Sequence, residues 1–272
     1  MLCLFVGDER AYVRQNIMKK FVLFIFSISV IFITSCHNDK TSLANDAKDT
    51  IVIHDTMMLN GVFTYDLPCK IEYIHPEQKG KAVMVFWLHG GVMDRTGHSL
   101  LNEWNNHIDK WRNTAYNNIS AYLNTKGLKA IYIAPICHKA VNPNCVRWID
   151  CAGEIKHIID DYVNKGFVDP NRIYVAGTSD GGVGAWDMVE KHGDWFAAAI
   201  AMSCGRPRKT RVPVLFSSTS TEGDKSSDVN SLVSQGCNIK YEYYPMEKHG
   251  GDEKLTCDFD HLEKLFSHVR KR

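Results

Sequence analysis

The amino-acid sequence predicts an α/β domain with a mostly parallel β-sheet and helices on both faces of the sheet. Strand-like apolar runs alternate with helical patterns along most of the chain, and this alternation is typical of parallel sheets joined by crossover helices. The run Ala82–Leu88 is apolar at every position. Such a run is expected for a strand that is buried on both faces, as the inner strands of a parallel sheet are.

The expected strands are short apolar runs bounded by turn residues, and the first run is long enough for two strands. In chain order they are Val62–Ile74, Ala82–Leu88, Lys129–Ala134, Arg172–Ala176, Phe196–Met202, Val212–Ser217 and Lys240–Tyr244. Pro76 ends the first run, because proline cannot donate a hydrogen bond to a continuing ladder. Asp169-Pro170-Asn171 predicts a turn immediately before the run Arg172–Ala176.

The expected helices are stretches with apolar residues at helical spacing. They are Leu100–Tyr122, Ala152–Val163, Gly181–Lys191 and 252–270, and we expect the last to be one closing helix. Gly127 supplies a stop after the first of them. The sequence shows no internal repeat and no second core, so residues 51–272 are expected to form a single domain.

The first 50 residues differ in composition from this domain. Met18-Lys19-Lys20 is a short basic start, and the apolar run Phe21–Ile33 is too short to cross a bilayer of about 30 Å as a helix. Small residues then precede Cys36. This order is typical of a secretory signal, and the cysteine resembles the lipobox of bacterial lipoproteins. We therefore expect residues 1–35 to be upstream residues and a signal peptide starting at Met18, Cys36 to be lipidated, and residues 36–50 to be a tether.

This interpretation predicts an exported protein, lipid-anchored in the bacterial cell envelope on the periplasmic face or the outer surface. The alternative is a secreted protein in which Cys36 has no special role. Cysteine usage also fits an oxidising compartment, since seven of the nine cysteines remain after Cys3 and Cys36 are set aside. Because seven is odd, at most three disulfides form, and Cys137 with Cys145 is the first pairing that we expect.

Charge and motif content argue against several kinds of partner. The formal net charge is only +1 and no nucleic-acid-reading motif is present, so no nucleic-acid partner is expected. No CxxC pair or Cys/His cluster has the spacing of zinc ligands, so no metal is expected either.

The segment Gly177-Thr178-Ser179-Asp180-Gly181 has the pattern G-x-S-x-G between a strand-like run and a helical one. In this setting a serine is held on a sharp, strained turn with its hydroxyl exposed. The helix that begins after the serine adds partial positive charge where an oxyanion forms. We therefore predict that Ser179 is a nucleophile.

A serine hydroxyl is a weak nucleophile, so it needs a general base that is oriented by a carboxylate. After a strand–turn–helix serine, these groups follow in the order acid, then histidine. His249 lies between the last strand-like run and the closing helix and is the predicted base. The acid is expected just past Val212–Ser217, where Glu222 and Asp224 are the candidates and Asp228 is a distant third.

An oxyanion hole needs two backbone N–H groups that face the developing negative charge. One is expected from Asp180, the residue after the nucleophile. The other is expected from the loop His89-Gly90-Gly91, because glycine lets the backbone approach a substrate carbonyl closely. His89 itself is expected to shape this loop and the substrate site rather than to act as a second base.

These segments resemble the esterase and "predicted peptidase" group of α/β-hydrolases, which includes feruloyl-esterase-like, polyhydroxybutyrate-depolymerase-like and dienelactone-hydrolase-like enzymes. The resemblance covers roughly residues 80–265. It rests on the run 168–186, on Phe196-Ala197-Ala198-Ala199, on Ala134-Pro135-Ile136-Cys137 followed by Trp148, and on Leu88-His89-Gly90-Gly91. The resemblance implies the α/β-hydrolase fold.

The same resemblance favours one of the two candidate acids. Laying the group's pattern P-V-x-x-x-H-G-x-x-D on Pro213-Val214 without gaps places its acid at Glu222 rather than Asp224. The chain departs from the pattern in this segment, because serines stand where His-Gly is usual and glutamate replaces aspartate.

Only about nine residues separate the strand-like runs that end at Met202 and begin at Val212, so no large cap domain is expected there. An open site suits a short acyl or aryl ester, and we expect Trp148 to line it, whereas Trp186 is expected to pack in the core. The sequence predicts a serine carboxylesterase without a cofactor, acting on a small-molecule or carbohydrate ester through an acyl-enzyme. The alternatives are a serine peptidase or amidase on the same triad, and a non-catalytic surface-binding lipoprotein.

Overall fold

Two hydrophobic cores lie on opposite faces of a central β-sheet. The computed structural model describes residues 67, 69–91, 114–137 and 146–270. Along the strand Ala82–Leu88, Met84 and Phe86 lie in one core, and Val85 and Trp87 lie in the other. Successive side chains of a strand point to opposite faces of the sheet. The strand is apolar at every position because both of its faces are buried.

The described part of the chain forms a seven-stranded sheet. Its strands are β1 (Cys69–Ile74), β2 (Ala82–Leu88), β3 (Ala130–Pro135), β4 (Val168–Thr178), β5 (Ala198–Met202), β6 (Val214–Thr219) and β7 (Ile239–Tyr244). Their order across the sheet is β1-β3-β2-β4-β5-β6-β7. β1 is antiparallel to β3, and every other neighbouring pair is parallel, which confirms the predicted mostly parallel sheet.

Within the same residues, six α-helices cover the two faces of the sheet. They are α1 (Thr114–Thr125), α2 (Ala152–Asn164), α3 (Asp180–Lys191), α4 (Ser226–Ser234), α5 (Glu253–Thr256) and α6 (Phe259–Ser267), with short 3₁₀-helices at Trp148–Cys151 and Gly193–Trp195. Side chains of α2 and α3 lie in the core with Met84, and those of α1 and α6 lie in the core with Val85. The predicted helices on both faces are therefore present.

None of the helices in the described ranges combines the length and apolar character that a membrane span requires. The expectations for the signal peptide, for lipidation at Cys36 and for the tether concern residues outside those ranges, as do the first residues of the predicted strand Val62–Ile74 and of the predicted helix Leu100–Tyr122.

The predicted turn at Asp169-Pro170-Asn171 is an irregularity inside β4 rather than a break before it. Ala82 pairs with Val168, whereas Met84 pairs with Ile173, so the register of the β2–β4 ladder shifts between these pairs. The Asn171 backbone N–H donates to the Asp169 side chain at 2.9 Å. Proline has no N–H to give to a ladder, and strands accommodate it at such bulges.

The predicted closing helix over 252–270 is two helices, α5 and α6. Asp258 between them has an extended backbone, and its side chain accepts a hydrogen bond from the His261 backbone N–H at 2.8 Å. This is the geometry of a helix N-cap, so a new helix starts there. Helix α4 was not predicted from the sequence. Its apolar residues at helical spacing, Val229, Leu232 and Val233, span little more than one turn, and Val229 is its only buried residue.

The predicted pairing of Cys137 with Cys145 is wrong, because Cys137 is a free, buried thiol. It lies just past β3 with its Sγ atom 3.5 Å from that of Cys151. Burial raises the pKa of the Cys137 thiol to about 12, so this group stays protonated at neutral pH.

Candidate active site

Ser179 lies on a sharp turn between β4 and α3. Its backbone φ is +57°, a conformation that residues with a Cβ atom rarely adopt and that persists where surrounding contacts hold it. The Ser179 backbone N–H donates to the Met202 carbonyl at 2.9 Å, which holds the turn against the end of β5. The turn is at the carboxyl edge of the parallel strands, where open α/β sheets bind their ligands.

Lack of space explains the two glycines of the G-x-S-x-G motif. A Cβ atom on Gly181 would lie 1.8 Å from the Leu88 carbonyl oxygen, and one on Gly177 would lie 2.3 Å from the Gly181 carbonyl oxygen. Both distances are far shorter than van der Waals contact. Glycine at these positions therefore lets α3 start directly against the end of β2.

His249 lies in the loop after β7 and is held by the loop after β6. Its Nδ1 atom is 2.5 Å from Oε1 of Glu222. The other carboxylate oxygen, Oε2, accepts hydrogen bonds from the Thr219 backbone N–H at 3.1 Å and from the Thr219 hydroxyl at 2.6 Å. The His249 backbone N–H donates to the Thr221 hydroxyl at 3.0 Å. One loop thus orients both the ring and the backbone of the histidine.

The Glu222 carboxyl is kept ionised by its partners. Burial by itself raises the pKa of this carboxyl, but the hydrogen bonds from His249 and from the hydroxyl and amide of Thr219 outweigh burial and leave the pKa below its usual value. A charged carboxylate at Nδ1 fixes the imidazole tautomer and stabilises the imidazolium that forms when the ring takes a proton.

The other two candidate acids lie elsewhere. Asp224 accepts hydrogen bonds from the Ser226 backbone N–H at 2.8 Å, from the Ser226 hydroxyl at 2.6 Å and from the Tyr241 hydroxyl at 3.1 Å, just before α4. Asp228 is exposed on the first turn of α4. The structure therefore places Glu222, and neither of these aspartates, at the His249 ring. Thr219 and Thr221 were not predicted; their position beside Glu222 in the sequence is the signal that would have found them.

The His249 side chain is 48% exposed, so its imidazole ring is open to solvent. Among the described residues, no hydrogen bond joins the Ser179 hydroxyl to the His249 ring. Such bonds are often long or poorly aligned without substrate and tighten in the complex.

The residues predicted for an oxyanion hole flank Ser179. Asp180 is the first residue of α3. Gly90 lies against the nucleophile, since a Cβ atom on it would be 3.0 Å from the Ser179 Cβ and 3.6 Å from the Ser179 Oγ. Gly91 follows with a φ of +67°, a conformation that favours glycine. The loop after β2 and the start of α3 therefore approach the serine from two sides.

Trp148 and His89, the two predicted substrate-binding residues, are buried, with 1% and 4% exposure respectively. The Trp148 indole N–H donates to the His89 carbonyl at 3.0 Å. The His89 Nε2 atom accepts from the Cys137 backbone N–H at 3.3 Å, and Nδ1 lies 2.8 Å from the Gly90 carbonyl. This pattern is that of a neutral imidazole with its proton on Nδ1. The side chains of Trp148 and His89 therefore support the loop that carries Gly90.

The chain from β5 to β6 is short, as predicted, and forms no cap over the site. It consists of residues 203–213, and Arg208 ties it to α3 through an ion pair with Asp187, whose atoms are 2.8 Å apart. Trp186, on the same helix, is buried against Phe216, as expected of a core residue.

One known sequence family matches part of this chain. The sequence profile of the Prolyl oligopeptidase family matches residues 150–204, about a fifth of the chain, which include the Ser179 turn. No match is found among curated protein sequences.

Similar solved structures include a thermostable esterase (TM-score 0.53, 19% identity, covering 75% of this chain and 60% of that one). Est1E from Butyrivibrio proteoclasticus with ferulic acid bound is also similar (TM-score 0.51, 15% identity, covering 74% and 96%). So is an acylaminoacyl peptidase in complex with a chloromethyl ketone (TM-score 0.50, 12% identity, covering 76% and 40%). This chain thus spans less than two thirds of the length of the thermostable esterase and of the peptidase.

These likenesses establish the fold. The described domain has the α/β-hydrolase fold. Ser179, Glu222 and His249 follow the carboxyl ends of β4, β6 and β7, and the side chains of Glu222 and His249 are hydrogen-bonded to each other.

Proposed function

We propose that this protein is a serine hydrolase, and specifically a carboxylesterase for short acyl or aryl esters, including esters carried on carbohydrate. The observation that carries the proposal is the hydrogen-bonded pair of His249 and Glu222 at the same sheet edge as the strained Ser179 turn. Fold alone does not define function. A histidine oriented by a carboxylate, at the sheet edge that also carries a serine on a strained turn, is the arrangement that nucleophilic catalysis requires.

The proposed reaction needs no group beyond the chain and water. The Ser179 oxygen attacks the ester carbonyl while His249 takes the hydroxyl proton, and backbone N–H groups of Asp180 and of Gly90 or Gly91 stabilise the oxyanion. The C–O bond to the alcohol then breaks, and the histidine returns the proton to the departing alcohol. Water, deprotonated by the same histidine, hydrolyses the acyl-enzyme and releases the acid.

The proposed substrate class rests on two features of the described residues, the exposure of His249 and the short connection from β5 to β6. The base is about half exposed, and only residues 203–213 join β5 to β6. A small acyl or aryl group then needs a shallow pocket, while a large alcohol extends into solvent. The similarity to Est1E with ferulic acid bound supports aryl esters as candidates.

A peptidase or amidase is the second candidate function. It is favoured by the match of residues 150–204 to the Prolyl oligopeptidase family and by the similarity to an acylaminoacyl peptidase. The same three residues cleave an amide by the same steps, with an amine as the leaving group.

The test is hydrolysis by the purified full-length chain in mild detergent. The substrates are p-nitrophenyl acetate, butyrate and octanoate, methyl ferulate, acetylated xylan and an N-acetylated aminoacyl p-nitroanilide, with Ser179→Ala as the control. We expect the esters to be turned over and the variant to be inactive on them. Turnover of the anilide alone would establish the peptidase instead. No turnover above the variant on any substrate would leave a non-catalytic binding role.

We also propose that the protein is an envelope lipoprotein, anchored through Cys36. The support is the basic start at Met18-Lys19-Lys20, the apolar run Phe21–Ile33 and the small residues before the cysteine. Metabolic labelling of expressing bacteria with an alkyne fatty acid tests this proposal. We expect label on the wild type and on Cys3→Ser but not on Cys36→Ser. Label that persists in Cys36→Ser would refute it.

A further inference from the structure

A buried carboxylate connects the loop that carries His249 to strands β5 and β6. Asp252, three residues after the histidine, is 0% exposed. Its Oδ1 atom accepts from the Ser203 hydroxyl at 2.5 Å, and its Oδ2 atom accepts from the Ser203 backbone N–H at 3.0 Å. The Ser217 hydroxyl, on β6, donates to the same Oδ2 at 2.5 Å. One side chain of the histidine loop thus binds both the end of β5 and the middle of β6.

Ser203 extends this network to the residue next to His249. Because the Ser203 hydroxyl donates its hydrogen to Asp252, its oxygen is left to accept, and it accepts from the Gly250 backbone N–H at 2.7 Å. The preceding residue, Met202, accepts the hydrogen bond from the Ser179 backbone N–H at 2.9 Å. Two adjacent residues at the end of β5 therefore hold the serine turn and the histidine loop.

The backbone of Ser203 is strained at this junction. Its φ is +43°, and the residue is 1% exposed. A residue with a Cβ atom keeps such a conformation only where its contacts over-determine it. Glycine would adopt this φ without strain but has no hydroxyl to bridge Gly250 and Asp252. Ser203 thus keeps a strained backbone and supplies the hydroxyl that bridges Gly250 and Asp252.

We infer that Ser203 and Asp252 are positioning residues for His249. The inference rests on the proposed function, in which His249 is the base. Glu222 holds the imidazole ring of His249. The backbone of the histidine loop is held by two linked hydrogen bonds, from the Gly250 N–H to the Ser203 hydroxyl and from that hydroxyl to the Asp252 carboxylate. These bonds keep the loop at a set distance from the Ser179 turn. Neither side chain reaches the substrate, so loss of the network lowers kcat and leaves KM nearly unchanged.

Ser203→Ala and Ser217→Ala form a matched pair for the test. Each removes one hydroxyl donor to Asp252 from a fully buried serine. Only Ser203→Ala also removes the acceptor of the Gly250 N–H. Initial rates with p-nitrophenyl butyrate and labelling rates of Ser179 with a fluorophosphonate probe are measured on the full chain, with circular dichroism to verify folding.

We expect kcat and the labelling rate to fall about tenfold to a hundredfold in Ser203→Ala, with KM within about twofold, because displacement of a catalytic group by about an ångström costs that much. In Ser217→Ala both rates should fall far less. Equal losses in the two variants, or no loss in either, would overturn the inference. A wild type that neither hydrolyses the ester nor reacts with the probe would instead overturn the proposed function.

Ser203→Gly separates positioning from stability. Glycine relieves the strain at φ +43° but still lacks the hydroxyl, so this variant should have a higher melting temperature than Ser203→Ala and the same low kcat. Recovery of kcat in step with the melting temperature would show that only stability is involved and would also overturn the inference.

Discussion

The Nδ1 atom of His249 lies 2.5 Å from Oε1 of Glu222, and this contact joins two loops that β7 separates in the chain. The carboxylate is in turn held by both donors of Thr219. The orientation of the imidazole therefore depends on a glutamate that is itself fixed by hydrogen bonds to its own loop.

Glu222→Gln should lower kcat by about 10³- to 10⁴-fold, because the amide cannot hold the imidazole in the required tautomer or stabilise its charged form. The measurement is steady-state hydrolysis of p-nitrophenyl butyrate. Asp224→Asn is the control and should remain close to the wild type, since Asp224 binds Ser226 and Tyr241 instead. A larger loss in Asp224→Asn than in Glu222→Gln would contradict the placement of the acid.

Trp148→Phe should lower kcat by roughly tenfold, because it removes the indole donor to the His89 carbonyl behind the proposed oxyanion loop. Trp186→Phe is a matched control. Trp186 is also 1% exposed, and among the described residues its indole N–H has no hydrogen-bond partner, so this change removes volume but no hydrogen bond. Both variants lose stability through the void. Equal values of kcat in the two variants would argue against a role for Trp148 in the loop.

Gly181→Ala should destabilise the fold by about 3 kcal/mol or more, because overpacking against backbone exceeds the usual cost of an added methyl group. The new Cβ atom would lie 1.8 Å from the Leu88 carbonyl oxygen. Urea unfolding followed by circular dichroism measures the effect. The control is Gly205→Ala, where no heavy atom lies within 4 Å of the new Cβ and the change should stay within about 0.5 kcal/mol. Equal unfolding midpoints in the two variants would rule out the close contact of α3 with β2.

Glu253 should make the stability of the protein depend on pH. Burial, helped by the nearby charge of Asp252, raises its pKa to about 6, although a hydrogen bond from the Ala115 backbone N–H at the start of α1 opposes this effect. Because this pKa exceeds the unfolded value of about 4.5, folding takes up a proton between these pH values. The contribution of this group to stability is therefore full below about pH 4.5 and is lost as the pH rises through about 6.

Glu253→Gln removes this titration. The free energy of unfolding of the variant, relative to the wild type, should rise by about 2 kcal/mol between pH 4 and pH 7, since the pKa shift is about 1.5 and each pKa unit is worth about 1.4 kcal/mol. Urea unfolding at several pH values measures it. Parallel curves for Glu253→Gln and the wild type would contradict the raised pKa.

Much of the fold was predictable because its signals are local. The apolar run of β2 coincides with the observed strand Ala82–Leu88, since a strand buried on both faces has to be apolar throughout. The G-x-S-x-G pattern indicated the turn at Ser179, because a tight turn between strand and helix needs glycine beside it. His249 was indicated by its place after the last strand. The catalytic roles of both residues stay predictions until the variants are measured.

Other features were not predicted from the sequence. The break between α5 and α6 follows from the Asp258 cap, which competes with a pattern that looks continuous. Helix α4 has a single buried residue, and its apolar residues span little more than one turn. The hydrogen bond from the Trp148 indole to the His89 carbonyl joins residues 59 positions apart in the chain, and no local pattern indicates it.

The sequence by itself determined the class of fold and the order of its strands, because apolar periodicity and turn chemistry reside in neighbouring residues. It also predicted the roles of Ser179 and His249. Only the tertiary structure decided that Glu222 rather than Asp224 meets His249, and that Asp252 joins the histidine loop to Ser203 and Ser217. These are hydrogen bonds between atoms a few ångströms apart in space but tens of residues apart in the chain. Their formation depends on how the loops at the carboxyl edge of the sheet pack, and no local pattern encodes that packing.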